Sequence, residues 1–326
     1  MVKHLEIKNF KSIKQLSLDC KRINIFIGEP NTGKSNILET LGILCWGGYY
    51  SFNRLSNFVR FERTSNLFYD EILDEPARIL LDNIDFTLQF KEGSFNGEIR
   101  ERPGSSVFAQ LRGNHNDLNF VHGATTEGLL PFKFYKFTVR HEFRRLESEF
   151  LLPAAGDNLM SLILAHKELR LLANRILSAF GLELNLRPQE NKIELLKRLE
   201  GVTVSYPYSL ASDTLQRTIF HLCAILSNKN SVIVFEEPES HAFPYYTKYF
   251  AETIALDKRG NQYFISTHNP YLLAPVLEKS PKGDVAVFIT YFQDYQTKIK
   301  PMSLAELEEI MEIDVFSNLD RFLEKK

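Results

Sequence analysis

Polar and apolar positions change period several times along the chain. Leu5-Glu6-Ile7-Lys8 and Gln15-Leu16-Ser17-Leu18-Asp19 alternate, which predicts two half-buried strands joined by the turn Asn9-Phe10-Lys11-Ser12-Ile13. Ile23-Asn24-Ile25-Phe26-Ile27 is almost wholly apolar and predicts a strand covered on both faces. Apolar residues then fall at helical spacing over 36–44. Residues 46–72 turn aromatic and Gly-containing, then mixed, and predict irregular structure with at most one helix. Alternation returns over 78–100, as in Phe86-Thr87-Leu88-Gln89-Phe90, with Lys91-Glu92-Gly93-Ser94 as the turn of an antiparallel hairpin. The Gly, Asn, Ser and His of 101–128 predict long loops, and 132–137 predicts one more strand of this β lobe.

In the second half, a loop over 151–158 leads into a helix at 159–180, with Asp157 or Asn158 as its N-cap and Gly181 as its stop. Residues 192–199 read as either a second helix or a strand. No heptad is sustained, so no long coiled-coil arm is expected. An amphipathic helix follows Tyr208-Ser209-Leu210-Ala211-Ser212. Two apolar runs then end in polar residues: Ser231 to Phe235 runs into Glu236-Glu237-Pro238-Glu239, and Gln262 to Ile265 into Ser266-Thr267-His268. A strand over 285–290 and a helix over 304–311 complete the pattern. No repeat or low-complexity stretch interrupts it.

The chain has 326 residues, 44% hydrophobic and 25% charged, enough for one large α/β domain with an inserted lobe or for two domains. A formal net charge of −2 supplies no global field toward nucleic acid, so any such contact has to come from a local patch. Cys20, Cys45 and Cys223 lie far apart, with neither C-x-x-C spacing nor a disulfide framework. His115, His122 and His141 match no metal-ligand spacing. The N-terminus lacks the apolar core of a signal peptide and no run is long enough to span a bilayer, so the expected compartment is the cytoplasm, with no membrane partner.

Chemistry concentrates at Gly28-Glu29-Pro30-Asn31-Thr32-Gly33-Lys34-Ser35, which fits G-x-x-x-x-G-K-[ST] between a strand and a helix opening at Asn36. Glycines let successive amides curl around phosphates, and the helix presents its positive end to them. Lys34 would reach the β- and γ-phosphates of ATP, and Ser35 would hold Mg²⁺. The strand ending in Glu236-Glu237 supplies the remaining charges: Glu236 as the metal-side acid, Glu237 as the base that polarises the attacking water.

Ile7-Lys8-Asn9-Phe10-Lys11-Ser12-Ile13 ahead of this loop resembles the start of ATPases of the SMC, RecF and OLD group, relatives of ABC ATPases. Glu236-Glu237-Pro238-Glu239-Ser240-His241-Ala242-Phe243-Pro244 is similar to the E-E-P-E-x-H-L-H-P stretch of OLD-like, AAA-labelled ATPases, with Phe243 replacing the second histidine. Ser266-Thr267-His268-Asn269-Pro270 resembles that group's switch-histidine segment, which implies that His268 contacts the γ-phosphate or the attacking water. The resemblance implies an α/β P-loop fold of ABC-ATPase type: a largely parallel central sheet, an antiparallel β lobe beside the nucleotide and a short helical lobe. It also implies a single ATPase domain over 1–326, with lobes 1–150 and 151–326. Lys11 joins the nucleotide ligands on this analogy. Residues 208–217 stand where the group's signature loop stands, so Ser212 and its neighbouring amides would face the γ-phosphate held by a second subunit. Asp213 occupies the glycine position there; its carboxylate would repel a phosphate unless it points away, and the other reading is a capped core helix. Glu236 stands where most such sites have Asp. His241 falls at either a dimer-facing or a structural position.

About sixty residues follow His268, which implies that the Toprim nuclease domain of OLD proteins is lacking. The expected function is an ATPase that dimerises on ATP and works on DNA, in repair, chromosome handling or defence, with double-stranded DNA and a separate effector protein as the partners the group allows. The alternative is a nucleotide-gated scaffold subunit with little turnover that regulates such an effector. The ATP-binding subunit of a membrane transporter fits less well, because no Gln-containing loop joins the lobes.

Overall fold

The computed structural model describes residues 1–102, 104, 107–123 and 127–323, without the side chains of residues 122, 311 and 312. The apolar strand β3 (Ile23–Ile27) lies inside a six-stranded sheet of order β16-β15-β3-β14-β13-β9. Its companions are β9 (Phe132–Tyr135), β13 (Val232–Glu236), β14 (Gln262–Ser266), β15 (Val285–Gln293) and β16 (Gln296–Pro301). All pairings are parallel except β15 with β16. Every residue of β3 is buried because cores press on both faces: Ile23, Ile25 and Ile27 enter one, Phe26 the other. Buried Asn24 is tolerated because its amide donates to the carbonyls of Lys21 and Tyr263.

A second sheet is fully antiparallel and seven-stranded, ordered β2-β1-β4-β5-β6-β7-β8. It contains β1 (His4–Phe10), β2 (Ile13–Asp19), β4 (Ala77–Leu81), β5 (Ile84–Lys91), β6 (Ser94–Glu101), β7 (Val107–Gly113) and β8 (Leu118–Gly123). Two expectations change here. Much of 101–128 forms β7 and β8 rather than loops. Phe132–Tyr135 joins the parallel sheet beside β13, not the antiparallel lobe: all four of its residues are buried, as two-sided coverage requires.

Helix α1 (Lys34–Tyr49) packs between the sheets and is buried on almost every side, so it runs through Trp46-Gly47-Gly48, where irregular structure was expected. Residues beyond it form short 3-10 turns. The helix expected over 159–180 is two, α2 (Leu159–Ala165) and α3 (Lys167–Ser178), broken where His166 adopts extended backbone angles. Asn158 precedes α2 but spends its side chain on Leu152 N and Phe150 O rather than on a cap. Residues 192–199 are a strand, in a three-stranded sheet of β10 (Glu183–Arg187), β11 (Lys192–Leu199) and β12 (Val202–Pro207). The lobe around α2 and α3 is therefore mixed. Helices α4 (Asp213–Ser227), α5 (Pro244–Ala255), α6 (Pro270–Lys279), α7 (Leu304–Glu312) and α8 (Leu319–Leu323) complete the chain. Among the described residues no helix is long and apolar enough to cross a membrane.

Candidate nucleotide site

Parallel strands bring their C-terminal ends to one edge, so the segments after β3, β13 and β14 meet there. The Gly28–Ser35 loop leaves β3 with Gly28 at φ 146°, Asn31 at 63° and Gly33 at 94°. A Cβ on Gly28 would lie 2.3 Å from the Thr290 carbonyl oxygen, and one on Gly33 2.0 Å from Thr297 Oγ1. Both glycines thus serve backbone angle and close approach together. Thr32 Oγ1 donates to the Glu29 carbonyl and lies 2.8 Å from Thr290 Oγ1. The Asn36 amide donates to Ser12 Oγ at 2.7 Å, which ties the start of α1 to the β1–β2 turn.

Lys34, Ser35, Glu237 and His268 line one cavity of about 420 Å³ with Pro30, Asn31, Gly33 and Asn36. Lys34 Nζ donates to the carbonyls of Gly28 at 2.9 Å and Glu29 at 2.7 Å. Burial lowers its pKa to about 8, against the pull of Glu237 and Glu29. His268 Nε2 lies 3.3 Å from Glu237 Oε1. Burial and the Lys34 charge lower the His268 pKa and the Glu237 carboxylate opposes them, which favours the neutral imidazole. Glu237 sits at φ 43°, its amide donating to Ser266 O and Ser266 Oγ, so the turn after β13 is fastened to the end of β14.

Of the loop residues selected, Gly28, Glu29 and Thr32 do not line this cavity, Glu29 and Thr32 lining an adjoining one, and three further selected residues lie elsewhere. Lys11 turns its ammonium onto buried Glu39 of α1 and donates to the Arg60 carbonyl at 2.5 Å, and it does not line the cavity. Glu236 carries Arg60 on its carboxylate, Nη2 to Oε1 at 3.2 Å. Ser212 caps α4 through the Leu215 amide and lines a separate groove with Phe180, Phe243 and Tyr245. Asp213 turns back along α4 onto Arg217, 2.5 Å away, and Arg217 lies over the Phe137 ring at 4.7 Å. His241 is exposed at φ 60°, its carbonyl accepting from Thr214 Oγ1. His115 is exposed in the β7–β8 turn, His141 is exposed in coil, and the His122 side chain lies outside the described residues.

Sequence reasoning passed over Ser12, Arg60 and Phe292, which also line the cavity. Arg60 bridges Glu39 (Nε to Oε1, 2.9 Å) and Glu236. No local spacing announces such a residue; the one available signal was Glu39, a carboxylate on an otherwise apolar helix face that needs a cation.

The donor set suits a nucleoside triphosphate with a divalent cation: the glycine-bearing loop, the Lys34 ammonium, the Ser35 hydroxyl and the Glu237 carboxylate line one cavity, with Glu236 beside it on Arg60. Comparison with known proteins agrees. Residues 1–128 match the family model described as an AAA ATPase domain. The DNA replication and repair protein RecF of Leptospira interrogans serovar Lai is 34% identical over 87 residues, 26% of this chain and 24% of that protein. RecF of serovar copenhageni is 40% identical over 60 residues, 18% of this chain. The chain thus matches under a quarter of the length of these curated relatives. Among solved structures, an Smc head bound to the C-terminal winged-helix domain of ScpA aligns with a TM-score of 0.57 at 16% identity, covering 94% of this chain and 99% of that one. An Smc head with an extended coiled coil, bound to the C-terminal domain of ScpA from Pyrococcus furiosus, aligns at 0.56 and 14% identity over 95% and 98%. The fold is therefore that of Smc heads, with a P-loop at the end of β3, and residues 1–128 carry the similarity to the AAA ATPase domain.

Proposed function

We propose that this chain binds and hydrolyses ATP, using Mg²⁺, and that nucleotide binding drives two copies together in DNA-related work. The observation that carries the reading is the convergence of Lys34, Ser35, Glu237 and His268 on one cavity at the ends of three adjacent parallel strands. Lys34 and the amides of residues 28–35 hold the phosphates, with Phe292 beside Pro30 and Asn31 as the aromatic neighbour for the base. Bound Mg²⁺ would supply charge neutralisation at the β- and γ-oxygens. Ser35 and Glu236 would hold it, Glu236 sharing its carboxylate with Arg60. Glu237 orients the attacking water and accepts its proton, while neutral His268 donates to the γ-phosphate or that water. The rest is positioning.

The matched relatives are DNA replication and repair proteins by name, which supports a DNA-linked role, and a cytoplasmic location belongs to the same reading. A separate effector protein is part of the same reading, and so is a single ATPase domain over 1–326 with lobes 1–150 and 151–326. Its test is ATP hydrolysis by the purified chain with and without linear double-stranded DNA, alongside solution mass with and without a non-hydrolysable analogue. Turnover stimulated by DNA and a doubled mass are expected. Lys34→Ala with Glu237→Gln abolishes turnover; normal turnover by that variant overturns the site. A second reading, a nucleotide-gated scaffold with little turnover, draws support from the Arg60–Glu236 pair, which engages the metal-side acid. Single-turnover hydrolysis separates the two: ATP bound but uncleaved favours the scaffold.

A further inference from the structure

We infer that Glu239 is a positioning residue that sets the Glu237–His268 pair, and that it works as the neutral acid; this deepens the hydrolytic reading above and rests on it. Glu239 lies two residues past Glu237 yet points away from the cavity, 8% exposed. Its Oε1 accepts from Thr267 Oγ1 at 2.5 Å and from the His268 amide at 3.1 Å. The Thr267 hydroxyl itself accepts from the Asn269 amide at 3.0 Å, so its proton is directed at Glu239. One carboxyl oxygen therefore holds both residues that close β14 into the switch segment.

The consequence is geometric. Glu237 and Glu239 belong to one turn, whose amides at Ser240 and Ala242 donate back to the carbonyls of Glu237 and Glu239. His268 is held to that turn by its backbone through Glu239 and faces Glu237 by its ring at 3.3 Å. A shift of the switch segment relative to the turn would open the ring-to-carboxylate gap directly. Ser266 fastens the start of the turn to β14, and Glu239 is the side chain that holds Thr267 and His268 beyond it.

Its other oxygen shows why the neutral form fits. Glu239 Oε2 is buried without a hydrogen-bond partner among the described residues, and a bare carboxylate oxygen in that position is costly, whereas an O–H or an amide is less so. Burial raises the Glu239 pKa to about 7, against the Thr267 hydroxyl and the backbone amides, which favour the carboxylate, and the negative Glu237 adds to the rise. A second full charge behind the base would also repel the triphosphate.

The test compares Glu239→Gln, Glu239→Ala and Glu239→Asp. Glutamine keeps Oε1 for both donors and carries no charge, so it should hydrolyse ATP within about twofold of the parent. Alanine removes the acceptor and aspartate falls short by one methylene; both should lose roughly 10- to 100-fold in kcat while KM for ATP stays within about twofold, as misplacement without lost binding requires. Protein labelled with [15N]histidine, of which the chain has only eight, supplies a readout independent of turnover: the His268 amide should move in the alanine variant and stay in the glutamine variant. Alanine that matches the parent in kcat with an unmoved His268 amide overturns the proposal. So does glutamine as damaging as alanine. If the parent itself lacks turnover, the hydrolytic reading falls, and the His268 amide alone decides whether Glu239 holds the segment.

Discussion

Among the described residues Lys133 has no acidic partner. It lies on β9, 3% exposed, its ammonium against the Tyr49 hydroxyl and 3.3 Å from the centre of the Phe150 ring. Burial brings its pKa down to about 7, below the lysine value of the unfolded chain, so between about pH 7 and 10 the unfolded chain binds a proton that the folded chain does not. Stability should therefore rise with pH across that window, by about 1.4 kcal/mol per unit at most. Urea titrations of the parent and Lys133→Met at pH 7.5 and 9.5 check this: the variant is the more stable at pH 7.5, and its advantage shrinks at 9.5. A constant difference would contradict it. Lys133 also marks what residue-by-residue reading loses. Phe132-Lys133-Phe134-Tyr135 alternates like a half-exposed strand, and only its neighbours in space, on α1 and the segment after β9, reveal that the lysine is interior. The phosphate loop, the Glu236-Glu237 pair and His268 were legible because each is written locally, as consecutive residues at a strand end. Arg60 was not, because it reaches Glu236 across 176 positions of sequence.

At the scale of elements, the central strands and the antiparallel hairpins were legible because burial on two faces or one leaves a direct trace in polarity. Strands β7 and β8 were hidden by the Gly, Asn and His around their turn, although Leu111 and Leu118 are buried. Helix α1 shows the same conflict at Gly47 and Gly48. Glycine inside a helix ordinarily costs about 1 kcal/mol against alanine, so a surface Gly→Ala change would stabilise. Here a Cβ on Gly48 would lie 2.9 Å from the Leu129 carbonyl oxygen, and one on Gly47 2.7 Å from a Leu129 methyl. Backbone cannot yield as a side-chain end can. Gly48→Ala should therefore destabilise by roughly 1–3 kcal/mol despite its better propensity, with Gly47→Ala milder because a leucine rotamer can give. Denaturation midpoints of the two variants decide it; a stabilised Gly48→Ala would mean that the helix packs less tightly against residues 127–129 than described.

At the scale of the whole molecule, the proposed ATP-driven pairing raises the matter of how two copies would meet. On the sequence resemblance that contact would run through Ser212 at the N-terminus of α4, where the helix dipole favours an anion, but Asp213 is the next residue. Its charge is answered within the same helix: Arg217 lies one turn on, 2.5 Å away and only partly exposed, braced over Phe137. The pair is neutral as a unit, so the helix end can still attract a phosphate from a second copy. Removing the cation unmasks the carboxylate. In a Glu237→Gln background, which should retain ATP, Arg217→Gln is expected to weaken ATP-dependent dimerisation by roughly tenfold, the scale of one uncompensated charge near a surface. Asp213→Asn combined with Arg217→Gln should restore it, since neither charge then remains. Light scattering across a concentration series reads both. Restoration in the double variant means that Arg217 acts by cancelling Asp213, whereas equal loss in single and double variants means that Arg217 serves α4 through Phe137 alone. Full dimerisation by Arg217→Gln would place the partner's phosphates away from the end of α4.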